Sequence, residues 1–127
     1  MKQFLNSPGS HPPGYSNVVT STGGTHVFVS GQGGMDAHGV MPADFTSQCI
    51  NTFENLKTCL GLAGAAFADV VKINYYLTDL DNRPELRRIR ALYLNMDAPP
   101  ASTLVQAGLD GALLLEIECT AVIPDTL

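Results

Sequence analysis

Two stretches of this chain carry residue types that do chemistry. In Leu115-Glu116-Ile117-Glu118 two carboxylates stand one residue apart. Side chains alternate along a β-strand, so Glu116 and Glu118 would share a face about 6.5–7 Å apart. Carboxylates at that separation can serve as acid and base on one substrate. They can equally be two solvated residues on an open face, where most glutamates sit. Glu116 differs from Glu118, because Leu113-Leu114-Leu115 precede it and place it beside the core. A carboxylate in such a place finds a partner or has its pKa raised by desolvation, and either suits it to hold a water or pass a proton. The second stretch is Pro99-Pro100-Ala101-Ser102-Thr103-Leu104-Val105, a stiff lead-in to a short strand. Together the two read as opposite walls of a small polar pocket.

Other reactive residue types fit less chemistry. Ser102 has no GxSxG setting and no histidine near it in sequence, so its plain role is to start a strand. His11, His26 and His38 are scattered, and none pairs with another His or a Cys at ligand spacing, so no metal is expected. Gly31, Gly33 and Gly34 predict positive φ angles or a close approach to the backbone. They lack the Lys-Ser/Thr ending of a phosphate loop and the GxGxxG spacing, so nucleotide binding is not expected. Arg83, Arg87, Arg88 and Arg90 gather on one predicted helix, where Glu85 can pair with Arg88 one turn on. An arginine turned inward there would offer a planar fork to a carboxylate.

The elements that must position these residues can be read in order. Ser7 to Gly14 is a loop rich in proline and glycine. Tyr15 to Thr20 reads as a strand, Gly23-Gly24 as a turn, and Thr25 to Ser30 as the hairpin partner of that strand. From Asp44 to about Ala63, Phe45, Cys49, Thr52, Leu56, Leu60 and Ala63 form one stripe at helical spacing. Asp44 can cap its start and Gly64 close its end. Val70 to Leu77 alternates as a strand, with Val71, Ile73, Tyr75 and Leu77 on one face and Lys72, Asn74 and Tyr76 on the other. A second helix follows, capped by Asp81 or Asn82, with Pro84 in its first turn. Leu86, Ile89, Tyr93 and Met96 mark its buried side, and Pro99-Pro100 stop it. Ser102–Ala107 and Leu113–Val122 complete the set as strands. The order ββαβαββ predicts an α+β domain over 1–127, with two helices on one face of a mixed sheet. The other face, carrying Val, Leu and Tyr, calls for a partner, and a cyclic oligomer is the common solution.

Composition narrows the function classes. The chain has 127 residues, 45% hydrophobic and 15% charged, which fits one ordered domain with a sizeable core. A formal net charge of -5 argues against a nucleic-acid partner, because phosphate contacts need a basic face. Three cysteines without CxxC spacing read as free thiols in a reducing cytoplasm. The first residues lack the apolar stretch of a signal peptide, and no run is long enough to span a bilayer, so no membrane is expected.

The same stretches resemble the RidA family, also called YjgF or L-PSP endoribonuclease-like. The likeness runs from about Gly14 to Val122. It rests on Gly14-Tyr15-Ser16, Val29-Ser30-Gly31-Gln32, Gln48, Asn55-Leu56, Asp69-Val70-Val71-Lys72, Tyr76-Leu77-Thr78-Asp79, Pro100-Ala101 and Glu116-Ile117-Glu118. The resemblance implies a chorismate-mutase-like fold, a homotrimer with a cleft at each subunit interface, and hydrolysis of reactive enamines and imines to 2-oxo acids and ammonia. It places Tyr15 and the Ser30-Gly31 backbone in the cleft, gives Glu116 the attacking water, and has the backbone at Thr103 meet the substrate. The imine-hydrolysing branch has an arginine within Pro-Ala-Arg that clamps the substrate carboxylate. Here the triplet is Pro100-Ala101-Ser102. A serine hydroxyl cannot make that bidentate clamp, and its loss weakens carboxylate binding by a few kcal/mol unless something replaces it. Arg87 stands where the family often has an asparagine facing the cleft, and from there it would supply the missing positive charge.

Three readings follow. The first is an enamine/imine hydrolase with altered substrate choice and no cofactor, since the imine is already electrophilic. The second is a non-catalytic metabolite-binding protein in which Ser102 donates a hydrogen bond. The third is a ribonuclease, against which the acidic charge and the lack of a histidine pair both speak.

Overall fold

The computed structural model describes residues 1–126. Its strands are β1 (Lys2–Leu5), β2 (Val18–Ser21), β3 (Thr25–Gln32), β4 (Val70–Leu77), β5 (Ala101–Gln106) and β6 (Leu115–Ile123), with helices α1 (Phe45–Leu62) and α2 (Arg83–Arg90). The main sheet runs β3-β6-β4-β5, antiparallel except for the parallel β4–β5 pair. The helices pack on one face of this mixed sheet, which is the α+β architecture expected.

α1 forms where its signals are local. The Asp44 carboxylate accepts from Ser47 N at 2.9 Å, satisfying a free amide of the first turn. Beyond the helix, Gly64 takes φ +76°, the left-handed closure that glycine allows. Between these ends Phe45, Cys49, Phe53, Leu56 and Leu60 bury one stripe against the sheet. Each large side chain so buried contributes about 1.5–3 kcal/mol.

The N-terminal pairing differs from the expected hairpin. β2 pairs with an additional strand, β1, and β3 pairs with β6. Tyr15–Asn17 lies outside any strand; Ser16 instead makes an isolated parallel bridge to Ala101. The reason sits at the turn. Gly23 and Gly24 both have positive φ, and a Cβ on Gly24 would stand 2.3 Å from Ile123 O. The backbone at Gly24 therefore lies directly against the end of β6, which takes β3 as its neighbour. A bulge in β4 also turns Val70 inward in place of Val71.

α2 is shorter than the apolar spacing suggests. It ends at Arg90, and the chain then turns, with Tyr93 N and Leu94 N both donating to Arg90 O. The turn lets the Tyr93 ring stack on Phe53 with centroids 4.9 Å apart. The start of the segment is held by Asp79, whose carboxylate accepts from Asp81 N at 2.9 Å, while Asn82 makes no side-chain cap. Glu85 pairs with Arg88 at 2.6 Å as expected. Arg88, with the Thr46 hydroxyl, lowers the Glu85 carboxyl to about 2. The contribution of this pair is therefore present above the ordinary 4.5 and lost as pH falls toward 2.

The sheet face away from the helices is more polar than the sequence suggested. It presents Lys72, Asn74, Tyr76, Thr103, Glu116, Glu118 and Thr120, together with the exposed Phe28 and Val105. Among the described residues, no helix is long and apolar enough to cross a membrane.

Candidate functional site

Glu116 and Glu118 do share a face, and the structure separates their roles. Glu118 is held. It receives a hydrogen bond from Tyr76 Oη at 3.3 Å and a longer one from Asn74 Nδ2 at 3.4 Å. Partial burial and, next, the Glu118 carboxylate push the Tyr76 phenol above its usual range. Glu116 is half-buried and accepts no hydrogen bond among the described residues. It lines a recess with Gly31, Gly33, Met35, Asn55, Asp110 and Leu113.

The walls of that recess are built by α1. Asn55 Nδ2 donates to Gly33 O and Met35 O, both at 2.8 Å, and Asn51 Nδ2 donates to Gly34 O at 3.0 Å. One turn earlier, the fully buried Gln48 binds Pro42 O, Ala112 O and Leu114 N. The helix thus fixes the glycine segment on one side and the lead-in to β6 on the other. Gly31 is needed for space. A Cβ there would meet Glu116 Oε1 at 2.1 Å. Gly31→Ala is expected to drive the carboxylate out of this position, lowering turnover by about tenfold or more with a stability change under about 1 kcal/mol. Turnover unchanged in a folded Gly31→Ala protein would show that Glu116 does not act from this rotamer.

The remaining expected residues lie elsewhere on the chain. Ser16 Oγ donates to Pro99 O at 2.6 Å and Ser16 N to Pro100 O at 3.1 Å, pinning Tyr15 beside β5. Tyr15, Arg87, Ser102 and Thr103 then line a second recess with Pro13 and Arg90. By register Ser102 pairs with Ile73 and points to the helix side, while Thr103 pairs with Asn74 and points to the open face. Thr103 Oγ1 accepts a long contact from Lys72 Nζ at 3.4 Å. Ser30 is exposed and lines neither recess; its carbonyl accepts from Gln32 Nε2. Within one chain β4 stands between β5 and β6, so the two recesses are separated by about 10 Å of sheet.

Of the four arginines gathered on α2, the inward one is Arg90 and not Arg87. It is 6% exposed, whereas Arg87 is open to solvent. The signal was present: Leu86, Ile89 and Arg90 stand at i, i+3 and i+4, the spacing of one buried helix face. The clamp of amides at 48, 51 and 55 follows the same spacing along α1. The cysteines offer no nucleophile there. Burial pushes the Cys49 thiol up to about 12 and the Cys119 thiol to about 11, and neither lines a recess with Glu116 or Ser102.

With this geometry in hand, known proteins supply the family. The model of the family described as Endoribonuclease L-PSP matches residues 7–123. Protein mmf2, mitochondrial, from Schizosaccharomyces pombe is 32% identical over 121 residues, covering 92% of this chain and 94% of that protein. A 2-iminobutanoate/2-iminopropanoate deaminase from Dermatophagoides farinae is 26% identical over 125 residues, covering 96% of this chain and 97% of that one. The crystal structure of a Rid-family protein of unknown function, YyfB from Yersinia pestis, superposes with a TM-score of 0.81 at 30% identity, covering 96% of this chain and 98% of that one. The shared fold and the match across nearly the whole chain agree: this chain belongs to the Endoribonuclease L-PSP family, the RidA/YjgF proteins.

Proposed function

We propose that this protein hydrolyses small enamines or imines, with Glu116 holding the water that attacks the C=N carbon. The balanced reaction is R–C(=NH)–COO⁻ + H₂O → R–C(=O)–COO⁻ + NH₃. The observation that carries this reading is Glu116 itself. It is half-buried, free of hydrogen bonds among the described residues, and laid against Gly31, where an added Cβ would displace the carboxylate. A carboxylate so placed can take a proton from water and return it to the departing nitrogen. The imine carbon is already electrophilic, so no cofactor is required. The deaminase named among the relatives supports the same chemistry.

The two recesses belong to one cleft if two copies meet, with Glu116 and Gly31 from one and Tyr15, Ser102 and Thr103 from its neighbour. The open sheet face, with Phe28 at 76% exposure and Val105 at 39%, offers apolar surface for that contact. A closed ring of three copies uses this heterologous contact three times and leaves no free end. Three free thiols fit a reducing compartment such as the cytoplasm.

Ammonia release from enzymatically generated 2-imino acids, with and without the protein, tests the activity. Acceleration is the expected result. A folded oligomer that accelerates none of a panel with charged and neutral side chains would sink it. The second reading, a metabolite-binding protein, draws on the uncharged Ser102 in the cleft. It requires ligand binding that persists without turnover.

A further inference from the structure

Arg90 is the one charged side chain that is buried among the described residues. A buried cation is costly unless something compensates it. Here the compensation is thin. Nη2 donates to Pro13 O at 3.1 Å, and the guanidinium carbon lies 5.7 Å from the Tyr75 ring centroid. Nε is buried with no partner, and so is the neighbouring Tyr75 hydroxyl. No carboxylate stands within salt-bridge distance of Arg90 among the described residues. The surroundings are nonetheless shaped to this side chain. A Cβ on Gly14 would lie 2.1 Å from Nη2, so the glycine leaves the space that the guanidinium fills.

The group lines the recess of about 310 Å³ that also holds Tyr15, Arg87 and Ser102. Ser102 faces the helix side of the sheet by register and is small enough to leave the space open. A planar fork with unused N–H donors, beside two hydroxyls and no resident anion, is suited to a bidentate carboxylate.

We propose that Arg90, reaching from α2, binds the carboxylate of a small 2-imino or 2-oxo acid in this recess, with the Tyr15 and Ser102 hydroxyls as neutral partners. The proposal rests on reading this recess as half of the reaction cleft, and its test separates the two ideas. The full chain is titrated by calorimetry with 2-oxobutanoate, with its neutral amide, and with inorganic phosphate. The proteins compared are the parent, Arg90→Met, Arg90→Lys, Arg87→Ala, Ser102→Asp and, as a control, Arg83→Ala. The parent and Arg83→Ala are expected to bind 2-oxobutanoate in preference to the amide and phosphate. Arg90→Met should weaken that binding by about tenfold or more, and Arg90→Lys by less.

Stability gives an independent reading. A residue that merely props the loop would lower the melting midpoint when changed. An uncompensated cation replaced by methionine of similar length should leave the midpoint level or raise it. Ser102→Asp keeps Arg90 and supplies the missing anion from the protein itself. It should raise the midpoint and abolish 2-oxobutanoate binding, and it serves even if Arg90→Met fails to fold. Equal affinity in Arg90→Met, loss confined to Arg87→Ala, phosphate or amide bound as well as the acid, no binding to the parent, or a lowered midpoint in Ser102→Asp would each overturn the proposal. Binding that depends on Arg90 without ammonia release by the parent would keep Arg90 in this role and remove the deaminase reading. Ammonia release that Arg90→Met leaves intact would do the reverse.

Discussion

Glu116→Gln is expected to lower ammonia release by about 10²–10⁴-fold, the usual worth of a positioned general base. The melting midpoint should stay near that of the parent, because Glu116 makes no hydrogen bond for the fold to lose among the described residues. Glutamine keeps the length and the packing against Gly31 and removes only the basic oxygen. Glu118→Gln makes a contrast. Its carboxylate is occupied by Tyr76 and Asn74, so its change should cost far less turnover. The same variant tests the proposed sharing of one cleft between subunits. Glu116→Gln chains have an intact Tyr15–Ser102 recess, and Arg90→Met chains have an intact Glu116. Randomly mixed rings of the two would carry about a quarter of their clefts with both halves intact. Activity recovered on mixing would place the halves on different subunits. No recovery from verified mixed rings would place them on one.

Gln48→Met should have the largest effect on stability, about 2–4 kcal/mol, or a fall of about 10 °C in melting midpoint. Gln48 is fully buried, with Nε2 on Pro42 O at 2.7 Å and Ala112 O at 3.0 Å, and Oε1 receiving Leu114 N at 2.9 Å. Methionine nearly matches the volume, so the loss measures hydrogen bonds and not a cavity. The effect should reach the chemistry as well. Leu114 lies two residues before Glu116, and a Cβ on Gly34 would stand 2.5 Å from the Gln48 Cβ. Loosening Gln48 therefore loosens both walls of the glutamate recess. Chemical denaturation checks the first point, and a midpoint unchanged from the parent would mean that other groups satisfy the freed backbone.

Much of this frame was legible because its signals are local. α1 is bounded by Asp44 and Gly64, and its apolar stripe repeats at a spacing that only a helix can bury. β4 alternates, so Tyr75 goes to the core and Tyr76 to the open face with no knowledge of the neighbouring strands. The same alternation puts both glutamates of β6 on one side. Sequence misleads at the early strands because pairing is not local. The Gly23-Gly24 turn looks like a hairpin in sequence, but the choice between β2 and β6 as the neighbour of β3 depends on backbone a hundred residues away.

The arginines make the same division at the candidate site. The sequence alone determined that four of them share one predicted helix, that position 102 holds a small uncharged residue, and that an inward arginine would suit an anion. The tertiary structure decided which one. The apolar spacing of α2 carries Arg90 under the Pro13–Gly14 loop and leaves Arg87 in solvent. It also decided that Glu116 and Ser102 lie on different sides of β4. Strand composition tells which face a side chain takes, but the order of strands in a sheet arises from contacts between distant segments, and that order sets the distance between the two recesses.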